Sequence, residues 1–398
     1  MFAQKKILLG ITGGIAAYKS CELIRELKRQ HAEIRVVLTA AARQFVTPLT
    51  LATLAENPVL GEMFGEEYAT TTIHIEAARW ADVVLICPAT ANTIGKIANG
   101  LADNLLTTLI MATTAPVVFC PAMNKEMIGN PLYLSNVEKL QQLGYHFVAA
   151  GEGELACGEF GIGRLADTHR IINKLRRVLL GTTELAGKRV LITASRTEEP
   201  IDPVRFITNA ASGKMGFELA TAAALRGAEV TLISGPTSLM PFDDVHYIQV
   251  RTSDEMADAV MQHLERQDIV IMAAAVADFK PAFYSAHKIK KDQFVGEMQL
   301  EKTRDILKTI GQQKNRRLLV GFALETDNEI AHAQAKLQEK HLDLIVVNNP
   351  LAPGAGFQTD TNIVTLIDAQ GHVEKLPLMS KFQVANRIID EIVSRMPM

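Results

Sequence analysis

The stretch GEGELACGEFGIGRLAD, residues 151–167, places one thiol, Cys157, among five glycines. A thiol can ligate a metal, form a disulfide, attack an electrophile or hand over a proton. The other cysteines, Cys21, Cys87 and Cys120, are scattered and none makes a C-x-x-C pair. That spacing argues against a cysteine-rich zinc site or a disulfide framework. So much glycine excludes a helix or a central strand and predicts a loop over 151–167. Composition alone thus gives a mobile loop, hinged by glycines, that carries one thiol.

Three segments offer polar groups where strands end. GITGGIAAYK (residues 10–19) puts Gly13, Gly14 and Ile15 between a strand pattern and a helix pattern. Small residues there let a phosphate approach the free N–H groups of a helix start; a ligand-free tight turn uses the same residues. The spacing is not G-x-G-x-x-G. The next strand ends at Thr39, where a dinucleotide site would carry an acid for the ribose. Both features favour a mononucleotide over NAD. CPATANTIGKIANGLADNLL (87–106) gathers Ala89, Thr90, Asn92 and Thr93 at a strand end, with Ile94, Ile97, Leu101 and Leu105 predicting a helix after it. Helix capping alone explains Thr90 or Asn92, and the whole cluster less well. PAMNKEM (121–127) adds Asn124, a donor and an acceptor, for which a plain turn is the simpler reading. His74 opens a helix-like stretch, and a lone histidine is most often a surface residue.

The second half has its own constellation. TEEPIDPVRFITNAASGKMG (197–216) is a long polar segment before a helix opened by Ser212, Gly213 and Lys214. It lacks Walker A spacing, and its length favours a functional loop. AAAVADFKPAFYSAHKIKKDQF (273–294) has Asp278 at a strand end and then Lys288, Lys290 and Lys291. A lysine cluster is usually a solvated face; beside a strand-end aspartate it suits a triphosphate with its magnesium. Lys336 and Lys340 share one helix face and can add charge there.

The elements that must position these groups follow one grammar used twice. Strand, glycine turn, helix and strand run through KKILLGITGG, IAAYKSCELIRELKRQ and EIRVVLT, and again through KRVLITAS, GKMGFELATAAALRG and AEVTLISG. That is the βαβ unit of a doubly wound parallel sheet. DVVLICPAT, PVVFCPAM, DIVIMAAAV, RLLVGFAL and DLIVVNN are continuous apolar runs that suit strands buried on both faces. The fold class is therefore α/β: two Rossmann-like three-layer domains with mostly parallel sheets. The first spans 1–181, a linker spans 182–187 and the second spans 188–398. With 48% apolar residues, 21% charged residues and net charge −3 over 398 residues, the composition is that of a globular protein. It gives no electrostatic reason to expect nucleic acid or a membrane as partner. The N-terminus lacks the pattern of a signal peptide, so the expected location is cytoplasmic and Cys157 a free thiol.

In the first half, GITGGIAAYK, His74, CPATANTIGKIANGLADN, PAMN and ACGEFGIGR together resemble the flavin-dependent cysteine decarboxylases. In the second, EEPIDPVRFITNAASGKMG, AAAVADF and KIKK resemble phosphopantothenate–cysteine ligase. Their order and full-length coverage resemble the bifunctional coenzyme A biosynthesis proteins of bacteria. The resemblance implies a flavodoxin-like flavoprotein domain followed by a ligase domain. It implies FMN at Gly13, Gly14, Ile15, Thr39, Ala89, Thr90, Asn92 and Thr93, with His74 beside it. The substrate would be 4′-phospho-N-pantothenoylcysteine, with Asn124 on its carboxylate and Cys157 as proton donor. Oxidation of the carbon–sulfur bond by FMN would give a thioaldehyde, which can accept the electrons left as CO₂ departs; the enethiol would then be reduced by FMNH₂ and protonated by Cys157.

For the second half the resemblance implies CTP-dependent activation of 4′-phosphopantothenate as an acyl-cytidylate, followed by attack of L-cysteine. Asn209 would orient the acyl-cytidylate. Ala273, Ala274, Ala275, Asp278, Lys288, Arg304, Asp305, Ile306, Leu307, Phe322, Lys336 and Lys340 would bind CTP, with Mg²⁺ between Asp278 and the phosphates. Ile128, Ser195, Ala211 and Arg304 depart from the family pattern. Relatives of this kind pack the flavin domain as trimers and the ligase domain as dimers, implying a homo-oligomer up to a dodecamer. The alternative is an NAD(P)-dependent oxidoreductase with two Rossmann-like halves, which the missing fingerprint opposes. A flavoprotein regulatory subunit with decayed chemistry is opposed by the joint presence of His74, Asn124 and Cys157.

Overall fold

The structure, a computed structural model, describes residues 2–64, 72–291, 296–325, 327–349, 353–354, 356 and 358–396. The chain divides into two compact units, Met1–Leu180 and Gly181–Met398.

In the first unit, strands β1 (Lys6–Ile11), β2 (Glu33–Leu38), β3 (Val59–Leu60), β4 (Val83–Ala89), β5 (Val117–Pro121) and β6 (His146–Phe147) form one parallel sheet. Its order is β3-β2-β1-β4-β5-β6. With the two-residue β3 set aside, this is the 2-1-3-4-5 order of the flavodoxin-like fold. Alternate strand residues face opposite sides. Ile7, Leu9, Ile11, Val83 and Leu85 join one core with Leu23, Ile24 and Leu27 of the helix Ser20–Arg29 and Ile171, Ile172 and Leu175 of the helix Thr168–Leu180. Leu8, Val84 and Ile86 join the other with Ile94, Leu105, Leu106 and Leu109. Burial on both faces is why these strands read as unbroken apolar runs.

Two sequence expectations change here. Residues 151–167 are not a loop: β7 (Gly151–Glu154) and β8 (Phe160–Arg164) form an antiparallel hairpin, separate from the main sheet. Glycine density argues against a buried central strand; it does not prevent a two-stranded flap. Gly163, at φ +156, shows why the glycines are there. A Cβ at Gly163 would fall 2.2 Å from the Met123 carbonyl oxygen, where the flap crosses the loop after β5. Nor do Ile94, Ile97, Leu101 and Leu105 share one helix. The helix Ala91–Ala98 ends at Asn99, Leu101 is exposed, and Asn104 starts a new helix, Leu105–Ala112, through a reciprocal cap with Thr107.

The second unit repeats the plan. Strands β9 (Arg189–Ala194), β10 (Glu198–Pro200), β11 (Phe206–Thr208), β12 (Glu229–Ser234), β13 (His246–Gln249), β14 (Ile269–Met272), β15 (Phe279–Pro281), β16 (Leu300–Lys302), β17 (Leu318–Leu324) and β18 (Leu344–Asn348) follow in order. The main sheet runs β13-β12-β9-β14-β17-β18, all parallel, and is extended by two antiparallel strands, Val364–Asp368 and Val373–Lys375. The polar segment 197–216 is not wholly irregular, since β10 and β11 pair within it.

Candidate active sites

The first cleft, about 1010 Å³, opens beyond the C-terminal ends of β1, β2, β4 and β5. This is where an open α/β sheet leaves a crevice, because consecutive connections leave to opposite faces. Gly13, Gly14, Ile15, Thr39, Thr90, Asn92, Thr93, Asn124 and Cys157 all line it. Ala89 is fully buried in β4 just before the lining begins, and His74 is outside the lining, half-buried on the helix Ile73–Trp80.

Close packing shapes the floor. A Cβ at Gly13 would sit 2.4 Å from that of Ala41, so only glycine lets the turns after β1 and β2 meet. Gly14 begins a helical turn with no side-chain cap, leaving its first N–H groups for another acceptor. Thr90, by contrast, is a helix cap: its hydroxyl accepts from the Thr93 N–H at 3.4 Å. Two hydroxyls absent from the sequence reading hold these turns. Thr12 Oγ1 donates to the Pro88 carbonyl at 2.7 Å and accepts from the Thr90 N–H at 3.0 Å. Ser20 Oγ donates to the Cys87 carbonyl at 2.9 Å. Both are buried polar residues in an apolar neighbourhood, and only the neighbouring strand reveals their partners.

The roof is the flap. The Met123 N–H donates to the Gly163 carbonyl at 3.0 Å, tying β8 to the loop after β5. In the flap turn the Leu155 N–H donates to the Glu159 carbonyl at 2.7 Å. That turn presents Cys157, exposed, opposite Asn124. Asn124 Oδ1 caps the short helix Lys125–Ile128 by accepting from the Glu126 N–H at 2.8 Å. This fixes the amide orientation and turns Nδ2 to the flap, 3.5 Å from Cys157 Sγ. The site therefore pairs a fixed amide donor with a thiol on a separate element, above a floor suited to an anion.

The second cleft, about 730 Å³, lies beyond β9, β14, β17 and β18. Asn209, Ala273, Ala274, Ala275, Asp278, Arg304, Asp305, Ile306, Leu307, Phe322, Lys336 and Lys340 line it; Lys288 does not. Asn209 Nδ2 donates to the Ala275 carbonyl at 2.9 Å, holding the loop after β14. Lys340 Nζ lies 3.0 Å from Asp305 Oδ2, and Lys336 Nζ bonds Glu325 Oε1 at 2.6 Å. Arg304 reaches Asp254 and Asp258 at 3.0 and 2.9 Å, so its guanidinium already has acidic partners. Gly213 starts the helix Lys214–Leu225 without a side-chain cap, beside Lys214. Among the described residues no three His, Cys, Asp or Glu side chains gather as a metal site.

Lys288 sits in a loop whose anchor the sequence did not reveal. The Asp202 carboxylate accepts from the Ile289 N–H at 3.1 Å, and Arg205 donates to the Ile289 carbonyl at 2.8 Å. The Arg205 guanidinium and backbone N–H groups hold the Asp202 carboxyl far below the usual carboxylate range. Lys381, buried at the cleft edge, donates to the Thr359 carbonyl at 2.6 Å, and burial pushes its ammonium down to about 8.

The flavoprotein family model matches residues 1–180, and that of the DNA/pantothenate metabolism flavoprotein C-terminal domain matches residues 185–396. The coenzyme A biosynthesis bifunctional protein CoaBC of Bacillus subtilis is 45% identical over 397 residues, 99% of this chain and 98% of that protein. The protein of the same name from Vibrio vulnificus strain CMCP6 is 43% identical over the same shares. A cysteine/cysteine sulfinic acid decarboxylase from an unknown prokaryotic organism is 45% identical over 355 residues, 88% of this chain and 99% of that protein.

Proposed function

The chain belongs to the family of coenzyme A biosynthesis bifunctional proteins, and from that premise we propose how its two units divide the work. The family places it in coenzyme A biosynthesis with a ligase and a decarboxylase activity, on substrates related to pantothenate and cysteine. The NAD(P)-dependent oxidoreductase reading is not favoured by this membership. Among the described residues no helix is long and apolar enough to cross a membrane.

Residues 188–398 are the ligase. The carboxylate of 4′-phosphopantothenate attacks the α-phosphate of CTP, pyrophosphate leaves, and the L-cysteine amine then displaces CMP from the acyl-cytidylate. Lys336, Lys340 and the backbone at Ala273–Ala275 would surround the nucleotide, and Asp278 would hold the Mg²⁺ that neutralises its phosphates. Asn209 orients the acyl group. Support comes from the gathering of these residues in one cleft with cations on its wall.

Residues 1–181 are the decarboxylase, acting on 4′-phospho-N-pantothenoylcysteine. The cleft suits FMN: its volume, the glycine-only contact at Gly13 and the uncapped turn at Gly14 all fit a flavin with a phosphate. Gly13, Gly14, Ile15, Thr39, Thr90, Asn92 and Thr93 would hold it. When bound, FMN would take two electrons from the substrate, giving it an electron sink, and would return them after CO₂ has left, so no outside oxidant is consumed. Asn124 Nδ2 takes the substrate carboxylate, the flap shuts out water, and Cys157 gives its proton to the enethiol carbon. The observation that carries this reading is the facing pair Asn124 and Cys157. His74 and Lys288 line neither cleft of their own chain. An assembly of trimeric flavin units and dimeric ligase units, a dodecamer when combined, is the arrangement that would bring them in.

The test is one mixture. Purified yellow protein with phosphopantothenate, L-cysteine, CTP and Mg²⁺ should release pyrophosphate, then CO₂ and 4′-phosphopantetheine. Absence of pyrophosphate removes the ligase reading. The likeness to a cysteine decarboxylase favours one control: CO₂ from cysteine alone would reassign the first unit's substrate to the free amino acid.

A further inference from the structure

Glu159 takes no part in the steps above, yet one of its oxygens is where three other groups converge. Its Oε2 accepts from Asn124 Nδ2 at 3.3 Å and lies 3.6 Å from Cys157 Sγ. Lys125 Nζ lies 3.8 Å from the same oxygen. Two of these groups lie after β5, Asn124 as the cap of the helix Lys125–Ile128 and Lys125 as its first residue; Glu159 itself belongs to the flap. An amide donor and an ammonium aimed at one oxygen make a seat for a carboxylate.

We propose that Glu159 is the resident stand-in for the substrate carboxylate, filling the seat made by Asn124 and Lys125 until the substrate displaces it. The proposal rests on the reading that Asn124 receives that carboxylate. Two carboxylates cannot share one donor without repulsion, so arrival of the substrate drives Glu159 out. The flap turn is closed by bonds from Leu155 to Glu159 and from Gly158 to Leu155, with Cys157 inside it. Displacement of the Glu159 carboxylate also removes the acceptor that lies 3.6 Å from the Cys157 thiol. Decarboxylation cleaves the Cα–carboxylate bond, CO₂ leaves uncharged, and the electron pair stays on the substrate and is captured by a proton. The seat then holds no anion, Glu159 returns, and the product, which has no carboxylate, loses its competitor's place. Lys125 is thereby a specificity residue that favours substrate over product.

Binding to the full FMN-loaded chain tests this, read by flavin fluorescence. One probe is 4′-phospho-N-pantothenoylserine, which keeps the carboxylate but has no thiol; the other is 4′-phosphopantetheine, which has no carboxylate. Loss of one competing charge-assisted hydrogen bond should tighten the serine probe about fivefold in Glu159→Gln and leave phosphopantetheine within about twofold. Lys125→Met should weaken the serine probe only. Equal affinity of the serine probe for wild type and Glu159→Gln, or weaker binding by the variant, overturns the proposal. Asn124→Ala separates the two levels. If it leaves the serine probe unchanged, the carboxylate reading of Asn124 fails and the proposal with it. If it weakens the probe while Glu159→Gln does not tighten it, only the stand-in is lost.

Discussion

Asn124 Nδ2 stands 3.5 Å from Cys157 Sγ across 33 residues of sequence. The amide is fixed by its cap on the helix Lys125–Ile128, while the thiol rides on a hairpin joined to the same loop by the Met123–Gly163 bond. One partner is rigid and the other is carried by a separable element. That division suits a site that must first bind and then protonate.

Cys157→Ser should still release CO₂ but form phosphopantetheine at least ~100-fold more slowly, the usual size of a lost proton donor. Under anaerobic conditions its flavin should stay bleached after substrate is added. Absorbance near the flavin maximum and product chromatography measure both; turnover at the wild-type rate would remove Cys157 as donor.

Gly163→Ala should push the flap off the loop after β5, because the added Cβ meets the Met123 carbonyl at 2.2 Å in a backbone region closed to alanine. Decarboxylation should slow by roughly tenfold or more, a loss of positioning. Pyrophosphate release from CTP, the work of the other unit, should be unchanged. Equal loss of both activities would mean a general folding defect instead.

Asn209→Ala should uncouple the ligase half-reactions. Pyrophosphate should still appear, while amide formation falls by about two orders of magnitude as orientation is lost. Trapping labelled acyl-cytidylate in the variant checks it; parallel loss of both half-reactions would assign Asn209 to nucleotide binding.

Asp202→Asn should lower the melting temperature of the second unit at pH 7. In the folded protein Asp202 titrates far below its ordinary 3.8, chiefly through Arg205, so its stabilisation is complete above that value and disappears as pH falls beneath it. The gap between wild type and variant should narrow progressively as pH falls below about 4, read by melting curves across the acid range. A gap that persists at acid pH would mean that the carboxylate charge is not what anchors Ile289.

Much of this protein follows from local chemistry. Apolar runs such as DVVLICPAT and DLIVVNN are strands because a parallel sheet covered on both faces demands them, and they fold so. Strand-end residues Gly13, Thr39, Thr90 and Asn124 line a cleft because strand ends are where such sheets bind ligands. These are consequences of residue type and order alone. Tertiary structure decided the rest, since it depends on which distant backbone lies alongside. Glycines between 151 and 167 signal flexibility, but only the Met123 carbonyl makes a flap of them. Thr12 and Ser20 look like ordinary small residues until Pro88 and Cys87 offer carbonyls across the sheet. Lys288 and Lys340 are alike as charges, yet only Lys340 lines its own cleft, because Asp202 and Arg205 hold the backbone beside Lys288 elsewhere. Glu159 carried no signal in its own segment; its meaning lies in Asn124 and Lys125, which only the folded chain sets beside it.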